Sequence, residues 1–94
     1  MESLKIEYKP DLTYRKQTFD ERLKAEYDLW RAIFGAEETA KRMKEMKPLT
    51  VAMRKLWKQH GFTEYGQYED WERTHLQERN DFLISEGVMD LWLM

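Results

Sequence analysis

The chain's reactive inventory is small: two histidines, His60 and His75, eighteen carboxylates, two serines and no cysteine. His75 follows Glu72 at Glu-x-x-His spacing. On a helix that spacing places both side chains on one face, which is half of the ligand set of a carboxylate-bridged di-iron bundle. The other half is missing. His60 has Trp57, not an acid, three residues before it, and no further pair of inward glutamates stands out, so no metal is expected. His75 reads instead as a partly buried histidine in an apolar stripe. Without cysteine there is neither a disulfide framework nor the usual structural zinc site. Ser3 and Ser85 sit in no strand–turn–helix elbow. Gly35, Gly61, Gly66 and Gly87 are scattered as helix punctuation and build no phosphate loop. The carboxylates are too numerous for spacing to single out an acid–base couple. The expectation is a protein that is not an enzyme and takes no cofactor.

Charge carries more information than reactivity. The formal net charge is −2 and the isoelectric point about 5.7, yet the charges are segregated. Lys41, Arg42, Lys44, Lys47, Arg54, Lys55 and Lys58 face a single acid, Glu45, giving +6 over residues 41–58. Glu64, Glu69, Asp70, Glu72, Glu78, Asp81, Glu86 and Asp90 face Arg73 and Arg79, giving −6 over residues 64–90. Three uses compete. The two faces can neutralise each other within the fold, aided by local pairs such as Asp20–Lys24, Glu37–Lys41, Glu38–Arg42 and Glu69–Arg73, each contributing about 0.2–0.5 kcal/mol. They can steer association with a protein partner or a second copy. Or the basic stretch can bind phosphates in a nucleic acid. The nucleic-acid reading is the weaker of the last two. A helix-turn-helix built from the third and fourth helices would present Glu64, Glu69, Asp70 and Glu72 to the phosphates, and like charge there repels.

The elements that must position these residues are mainly helical. Thr18 and Glu21 have capping-box spacing, and Phe19, Leu23, Tyr27, Trp30 and Phe34, with Ile33, form an apolar stripe; a helix over 19–34 ends at Gly35. A second, over 36–46, turns Ala36, Ala40 and Met43 inward. Pro48 opens a third over 48–60, where Leu49, Ala52, Met53, Leu56 and Trp57 fit the helical template without a miss. Gly61 closes it, with Phe62 folding back on Trp57. The longest helix, 64–86, is N-capped by Thr63 and ends at Gly87, where Val88 meets Leu83. Leu4, Ile6 and Tyr8 alternate with Lys5, Glu7 and Lys9 as in a strand. Leu12 and Tyr14 continue that alternation past a Pro10–Asp11 turn. The tail 88–94 is apolar at every position but Asp90, so it is either a strand pairing with the N-terminal one or a docking segment. The class is therefore mainly α, becoming α+β if strands 3–8 and 88–93 join in a small antiparallel sheet.

Ninety-four residues make one domain. Thirteen aromatic residues and a low net charge argue against disorder. No stretch reaches the roughly 18 apolar residues of a membrane span, and a soluble, cytoplasmic chain with no membrane partner is expected. Tyr65, Tyr68, Trp92, Leu93 and Met94 combine aromatic or apolar bulk with a helix start or chain end, and are the candidate partner contacts. Small domains without an active site are often stoichiometric inhibitors or adaptors, including those of phages and mobile elements. The expected function is accordingly a protein-interaction module occupying a partner's surface, with nucleic-acid binding through residues 41–58 as the alternative.

Overall fold

The computed structural model describes residues 11–89. A 3-10 turn, Thr13–Lys16, precedes five helices: α1 Phe19–Phe34, α2 Ala36–Glu45, α3 Lys47–His60, α4 Tyr65–Thr74 and α5 Leu76–Ser85. There is no strand among the described residues. The proposed strand 3–8 and most of 88–93 lie outside them. Leu12 and Tyr14 do not continue a strand. The Asp11 carboxylate accepts from the Thr13 backbone N–H at 3.0 Å and from its hydroxyl at 2.8 Å, and this local capture winds the backbone into the 3-10 turn.

Three helix boundaries follow the local chemistry: the start of α1 and the ends of α3 and α5. Thr18 Oγ1 accepts from the Glu21 N–H at 3.2 Å while the Glu21 carboxylate accepts from the Thr18 N–H at 2.9 Å, a complete capping box. Gly61 adopts the left-handed conformation at φ 71°. The Phe62 N–H donates to the Trp57 carbonyl and the Gly61 N–H to that of Lys58, a Schellman cap that seats the Phe62 ring edge-on to Trp57. Val88 repeats the device after Gly87, donating to the Leu83 carbonyl at 3.1 Å. Both residues are buried.

Residues 64–86 are two helices, not one. The Trp71 carbonyl, which an unbroken helix would bond to the His75 N–H, instead meets the Thr74 hydroxyl at 3.3 Å and His75 Nδ1 at 3.0 Å. The His75 N–H turns to the Glu72 carbonyl. Side chains competing for a helical carbonyl break the ladder there. The start also differs: Glu64, not Thr63, is the N-cap, because the Gln67 amide oxygen accepts from the N–H groups of both.

α3 is the centre of the molecule. Leu49, Ala52, Met53, Leu56 and Trp57 are all buried, joined by Tyr68, Leu83 and Val88. Leu56 and Leu83 are fully enclosed, and truncating either to Ala would cost about 2–5 kcal/mol. α2 is seated by Thr39, which is completely buried. Ala36 and Ala40, expected to face inward, are exposed; α2 instead buries Thr39 and half-buries Met43, which lines the space between α1 and α3. α1 departs furthest from expectation. Its stripe reads as core, but no α1 residue is buried, and Leu29, Ile33 and Phe34 are 57%, 61% and 42% exposed. The molecule measures 56 × 36 × 22 Å with a radius of gyration of 16.3 Å, against roughly 12 Å for a close-packed chain of this length. No described helix is long and apolar enough to cross a membrane.

Candidate functional site

α1 leaves α3 open along most of its length. The two meet at the start of α1, where Phe19 packs edge-on to Trp57 at 5.3 Å and Asp20 pairs with Arg54 at 2.6 Å. The Arg54 guanidinium also lies 4.7 Å over the Phe19 ring. Its hydrogen bond holds the Asp20 carboxyl below the usual carboxylate range. Beyond this junction α1 is carried by α2, and a groove of about 410 Å³ opens between α1 and α3. Leu23 and Trp30 form its α1 wall, Met43 and Met46 its far end, and Leu49 and Met53 its floor. Trp57, Tyr65, Tyr68 and Glu72 close the near end. Three methionines and two indoles make an apolar lining that adapts its shape to what enters.

The near end is braced by a polar clamp between the 3-10 turn and α4. The Arg15 guanidinium spans Glu69 and Asp70, and the Tyr14 hydroxyl donates to Glu69 at 2.9 Å. The Tyr65 N–H donates to the Gln17 carbonyl at 2.8 Å. Gly66 lets Arg15 pass: a Cβ there would lie 3.1 Å from the arginine side chain. Donation to Glu69 raises the Tyr14 phenol above its ordinary value, and burial, with the carboxylates of Glu72 and Glu69 nearby, raises that of Tyr65. Inside the clamp Arg22 stacks over the Tyr65 ring at 5.1 Å and the Tyr14 ring at 5.6 Å. It donates to Gln17 at 3.3 Å, yet its Nε is buried without an acceptor. Beneath lies a buried network: the Tyr68 hydroxyl donates to Glu72, and Arg79, 6% exposed, pairs with the same carboxylate at 2.8 Å.

The contact candidates are distributed unequally. Tyr65 and Tyr68 both line the groove, Tyr68 as part of its buried wall. Trp92, Leu93 and Met94 lie outside the described residues. Glu72 and His75 do not form a ligand pair: Glu72 is held by Tyr68 and Arg79, while His75 is exposed and stacks on Trp71 at 5.4 Å. His60 reaches the same indole at 4.5 Å. Among the described residues no three His, Cys, Asp or Glu side chains are grouped to hold a metal ion.

The charged faces largely miss each other. Lys55–Glu86, at 2.6 Å, links the basic segment to the acidic one. Of the four local pairs expected, Glu38–Arg42 forms; Lys24 turns to Asp28, Asp20 to Arg54 and Glu69 to Arg15. Among the described residues Lys41, Lys44, Lys47 and Lys58 have no ion-pair partner. Glu64, Glu78 and Asp81 likewise pair with no cation.

Leu23, Trp30 and Met43 read as core in the sequence and are walls of an open groove instead; Arg22 and Glu26 carried no signal at all. One was available. The apolar arc of α1 runs from Ala25 and Leu29 through Ile33 and Trp30 to Tyr27, wider than a single helix contact uses. Compared with known proteins, the chain matches no family model, no curated protein and no solved structure.

Proposed function

We propose that this chain is a non-enzymatic protein-interaction module that works by contact, in the manner of a stoichiometric inhibitor or an adaptor. The observation that supports the reading is the uncovered apolar side of α1: a methionine- and tryptophan-lined groove continuous with exposed Leu29 and Ile33. A soluble chain rarely leaves so much contiguous apolar surface in water without a protein to cover it. The lining is aromatic and soft, the composition typical of interface centres.

A photo-crosslinking residue in place of Trp30, with a control in place of Lys24 on the opposite face, tests this in the source cell. The module should give one discrete protein adduct from position 30 and none from position 24. Equal labelling from both positions, or none from either, would overturn the reading.

The four unpaired lysines, Lys41, Lys44, Lys47 and Lys58, favour one second reading, accessory nucleic-acid binding. It requires an affinity for duplex or single-stranded nucleic acid that falls steeply with salt and is lost when Lys44 and Lys47 become Glu. No binding at low salt would end it.

A further inference from the structure

We infer that the protein covering this surface is a second copy of the same chain, docked through an antiparallel pairing of α1 with α1. The inference rests on the interaction reading above and names its partner.

Four α1 positions adjoin or enter the groove at spacings of four, three and four: Arg22, Glu26, Leu29 and Ile33. That is the seam of a helix meant to lie along another helix. Two members, Leu29 and Ile33, are large apolar residues left 57% and 61% exposed. The other two are opposite charges left unpaired. Arg22 Nε is buried with no acceptor, and Glu26, a groove-lining residue, has no ion-pair or hydrogen-bond partner among the described residues. Although the two are one turn apart, the arginine is drawn to Gln17 and the tyrosine rings, away from Glu26.

A two-fold axis beside residue 24 matches the charged half of the seam and covers Leu29, while Ile33 falls opposite position 15 in the 3-10 turn that precedes the partner's α1. Antiparallel pairing about that point sets Arg22 of each copy opposite Glu26 of the other, so the two charges are matched twice. The same register sets Leu29 opposite Phe19 and Ala25 opposite Leu23, placing the exposed ridge of one chain against the groove wall of the next. Lys24 itself, bridged to Asp28, stays on the far face. The ridge and the α1 wall of the groove lie on one helix, so that face can be complementary to itself, as a closed two-fold dimer requires. Charged seam residues fix the register and exclude a parallel arrangement, in which Arg22 would meet Arg22.

Sedimentation equilibrium of the full chain tests this directly. The wild type should be a dimer at micromolar concentration. Leu29→Asp, at a position exposed in the single chain, should give a folded monomer with unchanged helicity. Glu26→Arg, also exposed, sets arginines against arginines and should raise the dimer dissociation constant by at least about tenfold. Adding Arg22→Glu to it restores opposite charges and should recover most of the loss. A wild-type monomer at about 100 µM, well above the dissociation constants of specific complexes of this size, would overturn the inference, as would a dimer indifferent to both Leu29→Asp and Glu26→Arg. A monomer whose position 30 still crosslinks to a different protein would sink the dimer alone and leave the interaction reading standing. A monomer that crosslinks to nothing would sink both.

Discussion

Tyr68, Glu72 and Arg79 show how a small core holds polar groups. The phenol is buried beneath the groove, so the hydroxyl must have an acceptor, and Glu72 supplies it. Glu72 carries a charge into a partly buried position, and Arg79 compensates it. Burial, then the neighbouring carboxylate, drives the Tyr68 phenol far above its ordinary value of 10.0. The sign of the linkage follows. A tyrosine whose folded value is raised contributes stability that is complete below pH 10 and is lost as the unfolded chain deprotonates above it. The wild type should therefore lose stability progressively between about pH 10 and 12. Tyr68→Phe should flatten that alkaline limb when denaturant midpoints are measured across pH. An unchanged slope in the variant would show that Tyr68 is not the group responsible. Asp20 acts in the opposite direction. Its carboxyl is lowered by Arg54, so the junction of α1 with α3 weakens as pH falls through the carboxylate range.

At the level of elements, what could be read in advance was what local chemistry decides. The Thr18–Glu21 box, the Gly61 and Gly87 caps and the α3 stripe all involve residues within one or two turns, and each appears as the spacing implies. The failures have local or tertiary causes that periodicity does not encode. Thr74 and His75 carry no glycine or proline signal, yet their side chains take the Trp71 carbonyl and divide α4 from α5. The α1 stripe correctly marks an apolar face, but periodicity cannot say whether this chain or another covers it. The clamp on α4 was invisible because Arg15 and Gly66 are 51 residues apart. Its role is testable. Gly66→Ala puts a methyl against Arg15 and should weaken the guanidinium's bridge to Glu69 and Asp70, costing about 1–2 kcal/mol. The loss should be smaller when Arg15 is already Ala, which removes the guanidinium contacts and keeps only the one to its Cβ, a coupling measurable in a double-mutant cycle. Independent, additive losses would mean that the glycine serves another purpose.

For the whole molecule, the distribution of stability follows from where the core lies. α3 with Tyr68, Leu83 and Val88 forms the enclosed body, while α1 and α2 extend from it as a hairpin, α1 touching that body through Phe19, Asp20 and Arg22 and α2 through Met46 at its end. In an isolated chain α1 has no buried residue to oppose its opening. Once covered, it gains the burial it lacks, so its stability should depend on its partner while that of α5 should not. The candidate site was half legible in the same sense. Tyr65 and Tyr68 are at the groove as their aromatic character suggested, but the groove exists through the divergence of α1 from α3, a relation between elements that no single stretch of sequence carries. Hydrogen exchange of the full chain, read segment by segment, tests the central claim that the groove side of α1 is a contact surface. It should be run with the chain alone at high dilution and with the partner identified by crosslinking at position 30, a second copy being supplied by raising the concentration. The account predicts that amides of α1 slow by about tenfold or more in the covered state while those of α5 are unchanged. Protection that leaves α1 untouched, or that falls equally on α5, would contradict it.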